Sequence, residues 1–525
     1  MPKLLKSILL ASSYILLFNI ILFFHKNVQG QDVYIRLIKD LAILIPASII
    51  TFYFLLLPTR LISSVIISAL FVIGAVNNYF YYTFNKTFDT GVLIDLLTVE
   101  SSLTQDFIST KLVIIGIVTF VLVFLLNFKI TLGQFASRLG KITSYFIVVI
   151  LVLVISASSN FNKRTFEATV INYLPFSIFY NVYEYYSKFK PHIYKREEKN
   201  DLTEQYSFTL GADTYQQPLT VVLIIGESMR GDLISLNGYS AHDNMPRLQK
   251  RSNLISFTNA TSSTTSTRMS IPYMLTSAVV PDFNQALSEK SVISIFKRLG
   301  FTTSWIGNQG IFGIHETTYA SDVMEADYYI INKDFRKAIP DRIIYDTDML
   351  PYISKRLQEV QDKHFIVIHM VGSHWSFYKR YPSDMENKFK PECNTEIISQ
   401  CDKESLFNSY ANTIKQSDYF LDEVLKLLEN KNSFVLYASD HGFSLGENGH
   451  YGNAYAQDDN IPNEQLSIAM FSWGSEVFHN ANKCLFAKIN SKKNNQIHHG
   501  YIFHSLLDCT RVKSPYINKG LSLCQ

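Results

Sequence analysis

The sequence predicts a two-part fold, an N-terminal five-helix transmembrane domain followed by a C-terminal α/β domain with a mainly parallel sheet and helices on both faces. Three observations predict it. The chain has 525 residues, more than one compact core usually holds. Its long uncharged apolar runs all fall within the first 160 residues. From Pro218 onward, short β-branched runs alternate with helical patterns, the signature of a sheet wrapped by helices. The expected boundaries are a transmembrane domain over residues 1–159, an interfacial aromatic helix and linker over 160–217, and a catalytic domain over 218–525.

Five runs make the membrane part: Ser7–Phe24, Leu41–Leu57, Leu61–Phe80, Leu112–Phe128 and Ile142–Ser159. Each is long enough to cross a bilayer, and five charge-free runs in succession exceed the patterning of a soluble core. No small-residue cleavage site follows the first run, so it reads as a span rather than a signal peptide. Lys3, Lys6, Arg60, Lys129, Arg138 and Lys141 lie in segments without acidic residues, which the positive-inside rule assigns to the cytoplasm. The alternate loops, Asp32–Asp40 and Phe84–Lys111, mix acids with lysines. Everything after Ser159 is therefore expected outside the cytoplasm. None of the spans carries an ionisable residue at its centre, which argues against a transporter.

The aromatic stretch Phe161–Tyr194, interspersed with Lys and Arg, suits the headgroup zone, and the polar linker Arg196–Gln217 follows it. All five cysteines, Cys393, Cys401, Cys484, Cys509 and Cys524, fall in the part assigned to the outside, which suits an oxidising compartment. Cys393 and Cys401 would close a short loop and Cys509 is within reach of Cys524, but spacing alone leaves the connectivity open. The balance of 48 basic against 45 acidic residues provides no field for a nucleic-acid backbone, so no nucleic-acid partner is expected.

In the second domain the expected elements are Leu219–Ile225, Val292–Leu299 ended by Gly300, Thr302–Ile306, Arg342–Lys363 around Pro351, Phe365–Met370, the helix Glu404–Leu428, Phe434–Ala438 and Leu466–Trp473. Ligands of such sheets gather at the carboxyl ends of the strands. Three runs end in metal-binding chemistry: Gly226-Glu227, then Gly372-Ser373-His374, then Asp440-His441-Gly442. Oxygen and imidazole donors converging there suit Zn²⁺. The Ser/Thr-rich stretch Thr258–Ser270 offers a hydroxyl as nucleophile, activated by that ion. Met269, Ile271, Met274 and Leu275 suggest a helix starting there, with its amino end toward an anion. His498, His499 and His504 are expected on a late helix in packing or surface roles.

The ordered set Gly226-Glu227-Ser228, Thr267-Arg268-Met269-Ser270-Ile271-Pro272, Gly372-Ser373-His374, Tyr378-Lys379-Arg380-Tyr381-Pro382, Asp440-His441-Gly442 and Leu445-Gly446-Glu447-Asn448-Gly449 resembles the membrane-bound phosphoethanolamine transferases of the alkaline phosphatase and sulfatase superfamily. The resemblance covers the whole chain. It implies zinc ligands at Glu227, Thr267, Asp440 and His441, with Thr267 also the nucleophile, His374 near the substrate phosphate or a second zinc, and a Cys393–Cys401 disulfide. His374 or His450, whose side chains exchange a proton near neutral pH, is the candidate acid that protonates the leaving group. Asn308, Glu447 and Glu464 are the candidate substrate-binding residues. The donor implied is phosphatidylethanolamine, and the acceptor is lipopolysaccharide, at its lipid A or core, or a periplasmic glucan, with the protein in a bacterial inner membrane. The sequence departs from the family pattern at Phe443, at Asn453 where the family has a histidine, and at Ser263 and Tyr273 where the family has a further disulfide. A sulfatase would need an Arg two residues after Pro272, where this chain has Met274. A phosphoglycerol transferase and a non-catalytic pseudoenzyme are the remaining alternatives.

Overall fold

The computed structural model describes residues 3–19, 33–84, 110–129, 173–184, 186, 199–211, 218–310, 318–339, 342–395, 398–453 and 461–525. The chain divides into two units, the second containing Phe189–Gln525.

The first unit is helical. Helices α1 (Lys3–Tyr14, continued by a wider turn over Ile15–Asn19), α2 (Val33–Leu55), α3 (Arg60–Phe84), α4 (Thr110–Lys129) and α5 (Phe176–Glu184) carry the described part of the first apolar run, most of the second, the third and fourth, and part of the aromatic stretch. Among the described residues, Arg60–Tyr79 and Thr110–Phe128 are long and apolar enough to cross a membrane, while the apolar part of α2 is the shorter Asp40–Leu55. The fifth run, Ile142–Ser159, lies outside the described residues. Tyr14, Phe18, Phe52 and Phe71 meet edge-on or tilted in the unit's interior. Polar side chains there bond across the helices: Tyr14 donates to the Leu70 carbonyl at 3.1 Å and Asn127 to Ser64 Oγ at 3.1 Å.

The second unit is built on a seven-stranded sheet. Its strands are β1 (Leu219–Gly226), β2 (Leu254–Ser256), β3 (Thr302–Gly307), β4 (Tyr328–Ile330), β5 (Lys363–His369), β6 (Ser433–Ser439) and β7 (Met470–Gly474). The order across the sheet is β2-β7-β6-β1-β5-β3-β4. Strands β6, β1, β5, β3 and β4 pair in parallel, whereas β7 runs antiparallel to both β6 and β2. The sheet is mainly parallel, as expected, with its antiparallel pairs gathered at one side. Among the described residues, the chain after β6 forms a small hairpin, Ser444–Leu445 with Tyr451–Gly452, before it enters β7.

Strands β1 and β6 are buried along their whole length, which explains why they read as continuous apolar runs rather than alternating ones. Helices α6 (Thr267–Leu275), α7 (Leu350–Glu359), α8 (Lys403–Leu428) and α9 (Gly500–Cys509) each place an apolar face against neighbouring elements. Helix α8 starts at Asp402, whose side chain caps Ser405 N, and α7 starts at Leu350-Pro351, where the proline's missing N–H costs nothing. The region Leu466–Trp473 is strand only from Met470, and His498 lies in a two-residue ladder before α9 rather than on it. Cys393 pairs with Cys401 and Cys509 with Cys524, while Cys484 is a free, exposed thiol.

Candidate active site

Strands β1 and β6 are neighbours in the sheet, with Gly226 opposite Ser439, so the residues that follow them, Glu227 and Asp440-His441, emerge side by side. The first residue of α6, Thr267, comes to the same point. Glu227, Asp440 and His441 are fully buried, and one ligand atom from each lies within 4.8 Å of the others. Thr267 Oγ1 donates to Glu227 Oε2 at 3.0 Å and lies 3.3 Å from His441 Nε2.

His441 Nδ1 faces the Gly442 carbonyl at 2.7 Å. A carbonyl only accepts, so Nδ1 carries a proton and Nε2 is the atom turned into the site. Around Nε2 stand Glu227 Oε1 at 3.3 Å, Asp440 Oδ2 at 3.4 Å and Thr267 Oγ1 at 3.3 Å. Asp440 Oδ1 accepts from Ser228 N and His441 N, but its Oδ2 is buried and accepts no hydrogen bond. Burial pushes the Asp440 carboxyl up to about 7, reinforced by the charge of Glu227. Burial also opposes ionisation of Glu227, yet the charge and hydrogen bond of His441 and the charge of His374 hold it well below the usual carboxylate range. Burial disfavours a charged His441, but Asp440 and Glu227 push it up to about 9. Two buried carboxylates at this distance demand a positive charge between them, and the orphaned Asp440 Oδ2 is the place for it. An oxygen and imidazole set of this size fits Zn²⁺.

Backbone geometry makes the close approach feasible. Ser228 sits at φ 56°, turning the chain sharply after Glu227. Gly372 adopts φ +44°, and a Cβ there would lie 2.9 Å from the Glu227 carbonyl oxygen, so only glycine lets the β5 turn pack on the Glu227 backbone.

The other expected site residues are placed differently. His374 follows that turn, close enough to Glu227 for its charge to act there, with Nδ1 2.5 Å from the Trp375 carbonyl. His450 closes the small hairpin, where its backbone bonds to Gly446 and Glu447, and is not part of the buried cluster. Asn308 is spent within the fold: its Nδ2 donates to Asp346 Oδ1 and its Oδ1 accepts from Asn332. Glu447 is held by Arg230 Nη1 and by Leu445 N. The Glu464 carbonyl caps Phe443 N, and its side-chain Oε1 is buried without a hydrogen bond.

Two residues with a part in the site, Gln309 and Asp346, escape sequence reasoning, and a third, Asn453, is the departure the sequence already marks. Gln309 Nε2 bridges Glu227 Oε2 and the Met370 carbonyl, both at 2.9 Å. Asp346 accepts from Val371 N at 2.8 Å and Gly372 N at 2.9 Å, clamping the turn that leads to His374. Asn453 Nδ2 lies 3.3 Å from His441 Nε2. Gln309 lies just past the end of β3, so the strand-end rule that found Glu227 applies to it as well.

The sequence pattern of the Sulfatase family matches residues 219–512, more than half of the chain. The chain belongs to the sulfatase family. Among its relatives there are proteins named as phosphoethanolamine transferases. "Phosphoethanolamine transferase EptA" of Escherichia coli (strain K12) is 32% identical over 342 residues, 60% of this chain and 59% of that one. The chain thus spans about 59% of the length of that curated relative. Among solved structures, this sulfatase-family chain superposes on the integral membrane protein lipooligosaccharide phosphoethanolamine transferase A (EptA) from Neisseria meningitidis with TM-score 0.81 and 24% identity, covering 99% of this chain and 98% of that one. It also matches the zinc complex of the C-terminal periplasmic domain of EcEptC from Escherichia coli with TM-score 0.53 and 24% identity, over 61% of this chain and 89% of that one.

Proposed function

We propose that this chain is a zinc-dependent transferase that moves phosphoethanolamine from phosphatidylethanolamine, through a covalent intermediate on Thr267, to lipopolysaccharide or a periplasmic glucan. The observation that carries the reading is the Thr267 hydroxyl, set 3.0 Å from Glu227 Oε2 and 3.3 Å from His441 Nε2 in a buried donor cluster. The names of the relatives, phosphoethanolamine transferases with one zinc complex among them, support substrate and metal.

Glu227, Asp440, His441 and Thr267 would hold the ion, with Gln309 fixing the orientation of Glu227. Bound there, zinc supplies Lewis acidity that favours the ionised hydroxyl and offsets charge on the phosphoryl oxygens. Thr267 Oγ1 forms the bond to phosphorus while the bond from phosphorus to the diacylglycerol oxygen breaks. The departing oxygen takes a proton from His374 or His450. The first N–H groups of α6 favour the anionic phosphoryl group at its amino end. An acceptor hydroxyl then gives its proton to that histidine and forms a bond to phosphorus while the bond from phosphorus to Thr267 Oγ1 breaks, which returns both groups to their starting states.

On this reading residues 1–159 form five spans in a bacterial inner membrane, residues 160–217 an interfacial segment, and residues 218–525 a periplasmic catalytic domain. A lipid donor and a membrane-borne acceptor both reside at the bilayer, so tethering raises their effective concentration. The test is mass spectrometry of the purified full-length protein after incubation with phosphatidylethanolamine. A phosphoethanolamine increment on Thr267 that is absent from Thr267→Ala supports the proposal, and no increment with zinc loaded refutes it. A phosphoglycerol increment with phosphatidylglycerol instead would assign the alternative donor.

A further inference from the structure

We infer that His499 is a positioning residue that sets Thr267 against the metal ligands, by tying the loop before the nucleophile to the strand that delivers Asp440 and His441. The inference rests on the reading of Thr267 as nucleophile. His499 is fully buried and lies between the two segments. Its Nδ1 accepts from the backbone N–H of Ser263 at 3.1 Å, and its Nε2 donates to the backbone carbonyl of Ser439 at 2.9 Å. A backbone N–H can only donate and a carbonyl can only accept, so these partners fix one neutral tautomer, with the proton on Nε2.

Both partners are one short step from the chemistry. Ser439 immediately precedes Asp440 and is the last residue of β6, while Ser263 lies four residues before Thr267. The placement of His499 is built by the chain next to it. Ile497-His498 pairs in parallel with Ala260-Thr261, and Ile497 N donates to the Asn259 carbonyl at 3.0 Å. The ladder carries His499 to the level of Ser263, where the loop leaves it. The opposite flank of that loop is pinned by Ser262 N on the Leu466 carbonyl, and its tip by Thr264 Oγ1 against Ser270 Oγ. On the strand side, Ser439 Oγ accepts from Met229 N, which extends the same tie to the segment after Glu227.

An imidazole suits this bridge because it presents an acceptor and a donor on one rigid ring. Asparagine in its place keeps an acceptor for Ser263 N, and glutamine keeps a donor for the Ser439 carbonyl, but neither spans both. Alanine removes the partner of the half-buried Ser263 N–H and of the buried Ser439 carbonyl and lets the loop drift from β6. A misplacement of about 1 Å at a reacting group costs about 10²-fold in rate, and loss of an outer support of a metal ligand costs about 10–100-fold in metal affinity or activity.

The test uses the full-length protein in detergent, with His499→Ala, His499→Asn and His499→Gln. Three quantities are measured: phosphoethanolamine transfer to Thr267 over a range of phosphatidylethanolamine concentration, zinc affinity by competition with a chromophoric chelator, and Tm. The expected result is a kcat about 10²-fold lower in His499→Ala with KM within threefold, zinc affinity at least tenfold weaker, and partial recovery of both in His499→Asn or His499→Gln. Zinc affinity and kcat both within twofold of the parent in His499→Ala would overturn the inference, whatever happens to Tm. So would losses in all three variants that track Tm alone, with no recovery in the amides. If the parent itself forms no adduct, the proposed function fails, and the zinc affinities of the same four proteins still decide the role of His499.

Discussion

Replacing Asp346 by asparagine tests how the turn before His374 is held. Asp346 Oδ1 accepts from Val371 N at 2.8 Å and from Asn308 Nδ2 at 3.0 Å, and Oδ2 accepts from Gly372 N at 2.9 Å. Asparagine keeps one acceptor and turns an NH₂ group toward a backbone donor. One hydrogen bond to charge is lost, about 1.5–3 kcal/mol, and one buried N–H is orphaned, about 1–3 kcal/mol. Burial pushes the Asp346 carboxyl above its ordinary pKa, so removing the charge returns part of that cost and leaves a net loss of about 2–4 kcal/mol. For a domain of this size that corresponds to a Tm lower by roughly 4–8 °C. The same turn packs on the Glu227 backbone through Ser373 N and the Glu227 carbonyl, at 2.9 Å, so transfer to Thr267 is expected to slow about tenfold as well. Thermal unfolding of the full-length variant beside the adduct assay checks both. A Tm within 1 °C of the parent would refute the reasoning, because it would mean the two backbone donors do not depend on a charged acceptor.

Chelation is expected to lower Tm and abolish transfer, and added zinc at about 100 times its Kd to restore roughly 2.7 kcal/mol of stability; equal Tm with and without the chelator would remove the ion from the site. Lys199→Met should cost about 3–5 kcal/mol, because it strips the partner from Asp322 in a pair whose side chains are 3% and 1% exposed, while Lys199→Met with Asp322→Leu should recover much of it in a melting experiment. Burial, then the charge of Asp322, pushes the Glu325 carboxyl up from 4.5 to about 8. Folded Glu325 therefore holds a proton that the unfolded chain releases, so its contribution to stability falls as pH rises from about 4.5 to about 8. Glu325→Gln should then raise Tm more at pH 8.5 than at pH 5, and an equal effect at both would contradict the assignment.

The strands that frame the site were legible because burial on both faces writes them as unbroken apolar runs, as in Leu219–Gly226 and Ser433–Ser439. Strands β2 and β4 were not: each has three residues, and side chains such as Tyr329 are exposed, so their strand character comes from pairing rather than from composition. The reversed direction of β7 depends on the path of its connection, which residue types do not encode. At the site, donors after strand ends point to Glu227, Asp440 and His441 because the rule needs only their position. Asn308 is a substrate candidate from a family-like stretch rather than from that rule, but a buried asparagine must satisfy its amide somewhere, and here Asp346 and Asn332 do so. Glu447 likewise serves Arg230. His499 read as a packing or surface residue on a late helix, since a histidine after a short ladder shows its two backbone partners only once the chain is folded.

The adjacency of β1 and β6 also has a consequence for how the protein matures. Ser228 and Asp440 touch across 212 positions of sequence. No nascent fragment ending before His441 contains the pocket, so the chain cannot capture its ion early and carry it along during synthesis. On the proposed reading, a product that ends before His441 lacks at least one of the residues that would hold the cation, so cation occupancy would report that this part of the sheet has been made.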